Sequence, residues 1–397
     1  MRAESVTQEI RRALGDEVSG LECLSLVKDG PEHWELIYHF EHRGRGPITT
    51  DGRWCDRADL AQLIFAVPEQ RTLAERCLEE IEGTADPDLR LPWNCPGWTD
   101  QAEGWFEQQL SEMGHRLLQP IRSFYRHGLA NILHAETSAG EFYMKASSFL
   151  SMLADEPRLT CYLASVFPDL VPRPIRINTE RRWMLLPDLG NPIREATEEM
   201  KMEALLAFGR LQRQAVEHVD KLLHLGCPDR RLDKLDAGIE AIIHLDEATA
   251  GLSEEELEGV RMAMPQLKRI ARDLAGYNLP DTLGHGDLHP GNIARRDGAY
   301  VFFDWGLGRV THPFLDAWHY IVESEMQSIP EDEYLALWAD YESRERLHEA
   351  LILTKPLYYL SRAIDQCYFN LNFRLPEDTR EWLANHLRMI LNLVETK

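Results

Sequence analysis

Residues 285–306 read HGDLHPGNIARRDGAYVFFDWG, and no other stretch constrains the chain as tightly. Asp297-Gly298 is a two-residue turn signal flanked by NIARR and AYVFF, which predicts an antiparallel hairpin. Pairing outward from that turn sets Asn292 opposite Phe303, one step from Asp304. Two oxygen donors thereby reach the same end of a two-stranded ribbon. Such donors suit a hard cation like Mg²⁺, which keeps several waters and completes its shell with phosphate oxygens. Asp287 stands five residues before Asn292, on the loop that enters the ribbon. A carboxylate placed there can accept the proton of a hydroxyl attacking a metal-bound phosphate.

Upstream, short periodic segments follow one another. SVTQEIRRALG has a helical period, HWELIYHFEH reads as a strand, and RADLAQLIF and RTLAERCLEEIEG add two helical patterns. Prolines at 87, 92 and 96 then crowd together with Gly97, which places a boundary near residue 98. Beyond a helical pattern over 101–114, strands are expected at 121–126, 131–137 and 141–146, and turns as short as RHGLAN and SAG make them an antiparallel meander. EPRLTCYLASVF reads as a helix stopped by Pro168, and RRWMLLPDLG as an apolar strand. From 196 onward the period is helical except over 283–310. Strands first and helices afterwards predict an α+β unit with two lobes. The expected division is an accessory α+β domain over 1–98, a small sheet lobe over 99–190 and a helical lobe over 191–397.

With 397 residues, 44% of them hydrophobic and 27% charged, the chain has material for more than one core. The net charge of −23 argues against a nucleic-acid partner, because neutralising phosphates needs a basic face. The same field favours a cationic small molecule. No apolar run approaches the ~18 residues of a membrane span. The start MRAESVTQEIRRALGDE is too charged for a signal peptide, so no membrane association and a cytoplasmic location are expected. Seven cysteines without a CxxC pair fit reduced thiols rather than a zinc site.

The order His285-x-Asp287-x-x-x-x-Asn292, then a strand-end Asp304 followed by an aromatic and a glycine, resembles the catalytic and metal loops of protein kinases. With HGDLHPGN and FDWG as its letters, it is similar to the aminoglycoside phosphotransferase and choline kinase family over roughly residues 115–397. The resemblance implies a bilobal protein-kinase-like fold, with a small antiparallel sheet lobe and a mainly helical lobe behind the accessory domain. It implies Asp287 as catalytic base and Asn292 and Asp304 as Mg²⁺ ligands. His285 matches a scaffold histidine, and His289 with Gly291 belongs to the LHPGN form of the loop. Asp316, in THPFLDAWHY, matches an aspartate that steadies that loop. The family places a phosphate-binding lysine on the third strand of its small lobe. Lys145 falls there and is the one lysine between Lys28 and Lys201. Its orienting partner is expected at Glu156, ahead of Glu141 and Asp155. The turn Arg126–Asn131, with Gly128, matches a phosphate-covering turn. Leu186–Leu189 matches the hinge that receives the base of the nucleotide, although Pro187 has no N–H to offer.

These expectations describe a small-molecule kinase that uses Mg²⁺ and ATP, with GTP not distinguished from it, and a hydroxylated acceptor toward which the acidity favours a cation. Two other readings stay open. A metallohydrolase would use His285, Asp287 and His289 as metal ligands, leaving Asn292, Asp304 and Lys145 without a role. A kinase-like nucleotide-binding module would be expected to lack the base, a metal ligand or the lysine, and this chain has all of them. Within 1–98, GRWCDRADLAQL faintly resembles the end of a Nudix-type domain whose catalytic box is absent, so no chemistry is expected there.

Overall fold

A computed structural model describes residues 3–28, 34–44, 55–65, 67–81, 91–244, 251–326, 330–372 and 378–394. The chain divides into two compact units, 1–141 and 142–397.

In the first unit, α1 (Ala3–Leu14) leads into β1 (Val18–Lys28) and β2 (Trp34–His42), which pair antiparallel from Val18 opposite His42 to Lys28 opposite Trp34. Strand β1 escapes a period-two reading because its register shifts between Gly20 and Glu22 and again between Cys23 and Ser25. Helix α2 (Arg57–Gln62) opens on a capping box in which the Asp56 and Asp59 side chains each accept from the other's backbone. Helix α3 (Pro68–Ile81) follows, then α4 (Trp98–Glu112). Gly97, at φ +78°, turns the chain out of the proline-rich stretch and starts α4 ahead of its periodicity estimate. Strands β3 (Arg122–Arg126) and β4 (Ala130–Thr137) pair antiparallel. Val18, Leu21, Trp93, Trp98, Phe106 and Leu110 are buried.

In the second unit, β5 (Gly140–Ser147), which begins just before the division, pairs antiparallel with β7 (Trp183–Pro187), and β7 with β6 (Arg176–Asn178). Between them α5 (Glu156–Val166) starts on an Asp155 cap with Pro157 in its first turn. Helices α6 (Glu198–Ala215), α7 (Val219–His224), α8 (Leu235–His244) and α9 (Glu254–Leu274) lead to β8 (Thr282–Gly284), the ribbon β9 (Ile293–Arg296) and β10 (Ala299–Phe302), and β11 (Arg309–Thr311). Helices α10 (Pro313–Glu323), α11 (Glu331–Ala336), α12 (Arg344–Asn372) and α13 (Asp378–Val394) complete the unit. Its core centres on Phe208, Phe302, Trp305, Phe314, Tyr334 and Trp338, all fully buried. Each such side chain contributes about 1.5–3 kcal/mol relative to exposure. Phe208 meets Phe302 at 5.2 Å between ring centres, so α6 packs directly under the ribbon.

The ribbon has the pairing expected of its turn. Ala299 faces Arg296 and Phe302 faces Ile293, while Asp297 and Gly298 both take positive φ. Phe303 N donates to Asn292 O at 3.0 Å, which closes the ladder one residue further out. Strand β11 pairs antiparallel with β8 and is tied to α12 by a buried ion pair, Arg309 Nη1 to Asp365 Oδ2 at 2.8 Å. Among the described residues no helix is long and apolar enough to cross a membrane.

Removing one partner of a buried pair leaves the other charge without compensation. Asp365→Ala is therefore expected to lower stability by about 3–5 kcal/mol. The double replacement Arg309→Met, Asp365→Leu should sit closer to the parent in urea unfolding.

Candidate active site

Lys145 donates to two carboxylates, Glu156 Oε1 at 2.7 Å and Asp304 Oδ1 at 2.6 Å. Strand β5 carries the lysine, the first turn of α5 carries the glutamate, and the exit from β10 carries the aspartate. The second oxygen of Glu156 accepts from Ser147 Oγ at 2.6 Å. Lys145 and Glu156 are 5% and 1% exposed. Burial alone would push the ammonium toward neutrality, but the two carboxylates outweigh it and hold the Lys145 pKa above its ordinary value. Glu141 and Asp155 are occupied elsewhere: Glu141 pairs with His134 at 3.0 Å, and Asp155 caps α5 by accepting from Arg158 N.

Asp304 takes φ +67°, a left-handed conformation that aspartate tolerates better than bulkier residues do. Its neighbours hold it there. Trp305 Nε1 donates to Phe302 O at 2.9 Å, and Ala154 N donates to Gly306 O at 3.0 Å. A Cβ at Gly306 would stand 3.4 Å from Glu156 Oε2 and 3.8 Å from Asp304 Oδ1, so glycine leaves open the space beside the lysine and its two partners.

The loop before the ribbon is gripped from α10. Asp316 accepts from His285 N at 2.6 Å through Oδ2 and from Gly286 N at 3.1 Å through Oδ1. The His285 ring is fully buried 4.6 Å from Trp305. Burial lowers its pKa despite the nearby Asp316 and Asp287, so a neutral imidazole donates from Nε2 to Phe303 O at 2.9 Å. That bond pins the loop to the end of β10. Asn292 Nδ2 donates to Asp287 O at 2.9 Å and to Asp287 Oδ2 at 3.2 Å, which leaves Asn292 Oδ1 as an oxygen donor. His289 Nδ1 accepts from Gly291 N at 3.0 Å, so its proton sits on Nε2, 3.6 Å from Asp287 Oδ2. Burial pushes the Asp287 carboxyl up. Contacts with His289 and His319 and the charge of Arg362 outweigh that and hold it well below the usual carboxylate range.

Asn292 and Asp304 thus stand at one end of the ribbon as hard oxygen donors, and the Asp304 side chain is 43% exposed. This donor set fits Mg²⁺ completed by phosphate and water. Among the described residues no three His, Cys, Asp or Glu side chains come together as a metal cage, and His285 spends Nε2 on a carbonyl. Leu186 lies buried on β7 opposite Tyr143, and Leu189 follows three residues later, half-buried. Arg126 and Gly128 belong to the first unit, at the turn between β3 and β4. The Arg126 guanidinium donates to the carbonyls of Gly20, Leu21 and Trp93 and to Asn94 Oδ1. Two side chains beside Asp287 escape a motif reading. His319 and Arg362 sit on α10 and α12, and the one available signal is that His319 follows Asp316 by a single helical turn.

Comparison with known proteins places this geometry. The solved structures that share the fold include a choline/ethanolamine kinase family protein from Mesorhizobium loti, at a TM-score of 0.55 and 13% identity over 75% of this chain and 95% of that one. The choline kinase LicA from Streptococcus pneumoniae aligns at 0.52 and 15% identity over 75% and 100%. Choline kinase from Cryptosporidium parvum aligns at 0.52 and 11% over 76% and 92%. At these identities the likeness is one of fold: mixed α+β and protein-kinase-like. Residues 163–350, which hold Asp287, Asn292, Asp304 and Asp316, match the model of the phosphotransferase enzyme family. Over that segment the match agrees with the resemblance of the motifs to the aminoglycoside phosphotransferase and choline kinase family. No curated protein matches the chain.

Gly286 and Gly298 both hold positive φ, yet their surroundings differ. A Cβ at Gly286 would lie 2.3 Å from Leu307 O and 2.6 Å from Arg309 Nε, whereas nothing stands within 4 Å of one at Gly298. Gly298→Ala should cost about 1–2 kcal/mol, the backbone strain alone. Gly286→Ala should exceed it by a further ~1–3 kcal/mol from the clash, as read by chemical denaturation.

Proposed function

We propose that the protein is an ATP-dependent phosphotransferase that moves a γ-phosphoryl group to the hydroxyl of a small molecule. The observation that carries this reading is the Lys145–Glu156–Asp304 cluster, with Asp304 on the same ribbon end as Asn292 and Asn292 hydrogen-bonded to Asp287. A fixed cation, two oxygen donors and an ionised carboxylate are what in-line transfer between oxygens requires.

In this reading Lys145 neutralises nucleotide phosphate oxygens, and Glu156, itself fixed by Ser147, keeps the ammonium in place. Asn292 Oδ1 and the Asp304 carboxylate would hold Mg²⁺, which when bound offsets the charge on the phosphates. Asp287 accepts the proton of the acceptor hydroxyl. Its carboxyl is held ionised, and its Oδ2 is steadied by the Asn292 amide. Leu186 and Leu189, at the end of β7, receive the base of the nucleotide. Transfer then rests on position and electrostatics rather than covalent chemistry. Residues 1–98 are assigned as an accessory domain, 99–190 as a sheet lobe and 191–397 as a helical lobe. The acceptor class is a cationic alcohol, which suits the net charge of −23. The neighbours named as choline or ethanolamine kinases support the same class.

The test is a nucleotide-consumption screen of the full chain against hydroxylated metabolites and antibiotics, with binding of Mg²⁺-nucleotide followed by calorimetry. Asp287→Asn should lower turnover by about 10²–10⁴-fold while nucleotide affinity stays within a few-fold. Lys145→Met should weaken nucleotide binding itself. Failure of the wild-type chain to turn over any acceptor or to bind Mg²⁺-nucleotide would remove the phosphotransferase reading.

A further inference from the structure

Helix α10 touches the loop at two places one helical turn apart. Asp316 holds the backbone N–H groups of His285 and Gly286. Three residues on, and therefore on the same face of the helix, His319 brings Nε2 to 3.5 Å from Asp287 Oδ1. Its ring is 2% exposed and packs against Tyr358, whose ring centre is 5.8 Å away. Neither ring nitrogen has a hydrogen-bond partner. A buried imidazole without a partner is costly, so a native structure that keeps one calls for an explanation. The ionised Oδ1 of Asp287 is the acceptor within reach of Nε2. Contacts of this kind are commonly long before substrate binds and shorten in the reacting complex.

We propose that His319 is a positioning residue, whose Nε2–H closes onto Asp287 Oδ1 and fixes the rotation of that carboxylate. The proposal rests on the reading of Asp287 as the base. The two oxygens of Asp287 are then held from opposite sources, Oδ2 by the Asn292 amide on the ribbon and Oδ1 by a ring anchored in a helix. A carboxylate on a loop would otherwise rotate about its own side-chain bonds. One helix face thus sets both where the loop backbone lies and how its reactive side chain is turned. His319 lies deep and neutral, because burial and the Arg362 charge hold its pKa down to about 4. A neutral ring carries one proton, and the neighbouring carboxylate selects Nε2 for it.

The experiment compares His319→Gln, which keeps an N–H donor at similar reach, with His319→Leu, which does not, using Mg²⁺-ATP hydrolysis with water as acceptor. His319→Leu should lower kcat on the order of 10–100-fold with KM for ATP within about two-fold, and His319→Gln should recover most of the loss. A residue that only packs would instead shift Tm and KM and would show no rescue by glutamine. Long-range ¹H–¹⁵N spectra of histidine-labelled full-length protein read the contact without turnover. The signal absent from His319→Gln should be that of an Nε2–H tautomer and should move in Asp287→Asn. An Nδ1–H tautomer there, or an unaltered kcat in His319→Leu, overturns the proposal. Asp287→Asn is assayed alongside: an inactive Asp287→Asn with a fully active His319→Leu removes His319 alone, whereas a fully active Asp287→Asn removes the base beneath it.

Discussion

One buried ammonium organises the site. Lys145 joins strand β5, helix α5 and the end of β10 through two bonds of 2.7 and 2.6 Å, and its partners are 11 and 159 residues away in the chain. A charge this deep is tolerable only while both carboxylates face it, so the position of α5 and the conformation of Asp304 become conditions on each other. The Ala154 N to Gly306 O bond reinforces that link from the backbone just before α5. In the proposed reading, the charges that a polyphosphate would meet are therefore fixed before it arrives.

Asp304 shows what such fixing costs. Its left-handed φ is a local strain of the kind that persists where surrounding structure over-determines it. The constraints here are separate in origin: the ribbon pairing that ends at Phe303, the Trp305 indole bonded to Phe302 O, and the bond from Lys145. No single one of them would hold the turn. Together they aim the carboxylate toward the space that Gly306 leaves open.

Much of this was legible where the determinants are local. Asp297-Gly298 specifies a tight hairpin by its own backbone preference, and the register from Asn292 to Phe303 follows from counting outward. Lys145 stood out because lysine is scarce, and the short turns around it made strands of their flanks. Glu156 over Asp155 was also a local matter, since Asp155 occupies the cap that starts α5. The rest depends on contacts between distant segments. Arg309 and Asp365 are 56 residues apart and give no pattern that would pair them. Arg126 offers its guanidinium to carbonyls more than a hundred residues earlier, which no turn motif predicts. Strand β1 gives no period-two signal because bulges break its alternation.

His319 belongs to the same class, because no motif marks it. His285 and His289 draw attention by sitting two letters from Asp287: one ring bonds Phe303 O, and the other accepts from the Gly291 amide and brings its second nitrogen to 3.6 Å from Asp287 Oδ2. His319 lies 32 residues from Asp287, which it faces, in a helix where apolar neighbours mark it as core. Only the packing of α10 under the loop brings it to Asp287, and α10 takes that place because Asp316 needs the two N–H groups that a glycine turn at Gly286 exposes. Positive φ at Gly286 presents successive amides to one carboxylate, and that docking sets the helix register. A histidine one turn along the helix then meets the side chain of the next loop residue as a geometric consequence.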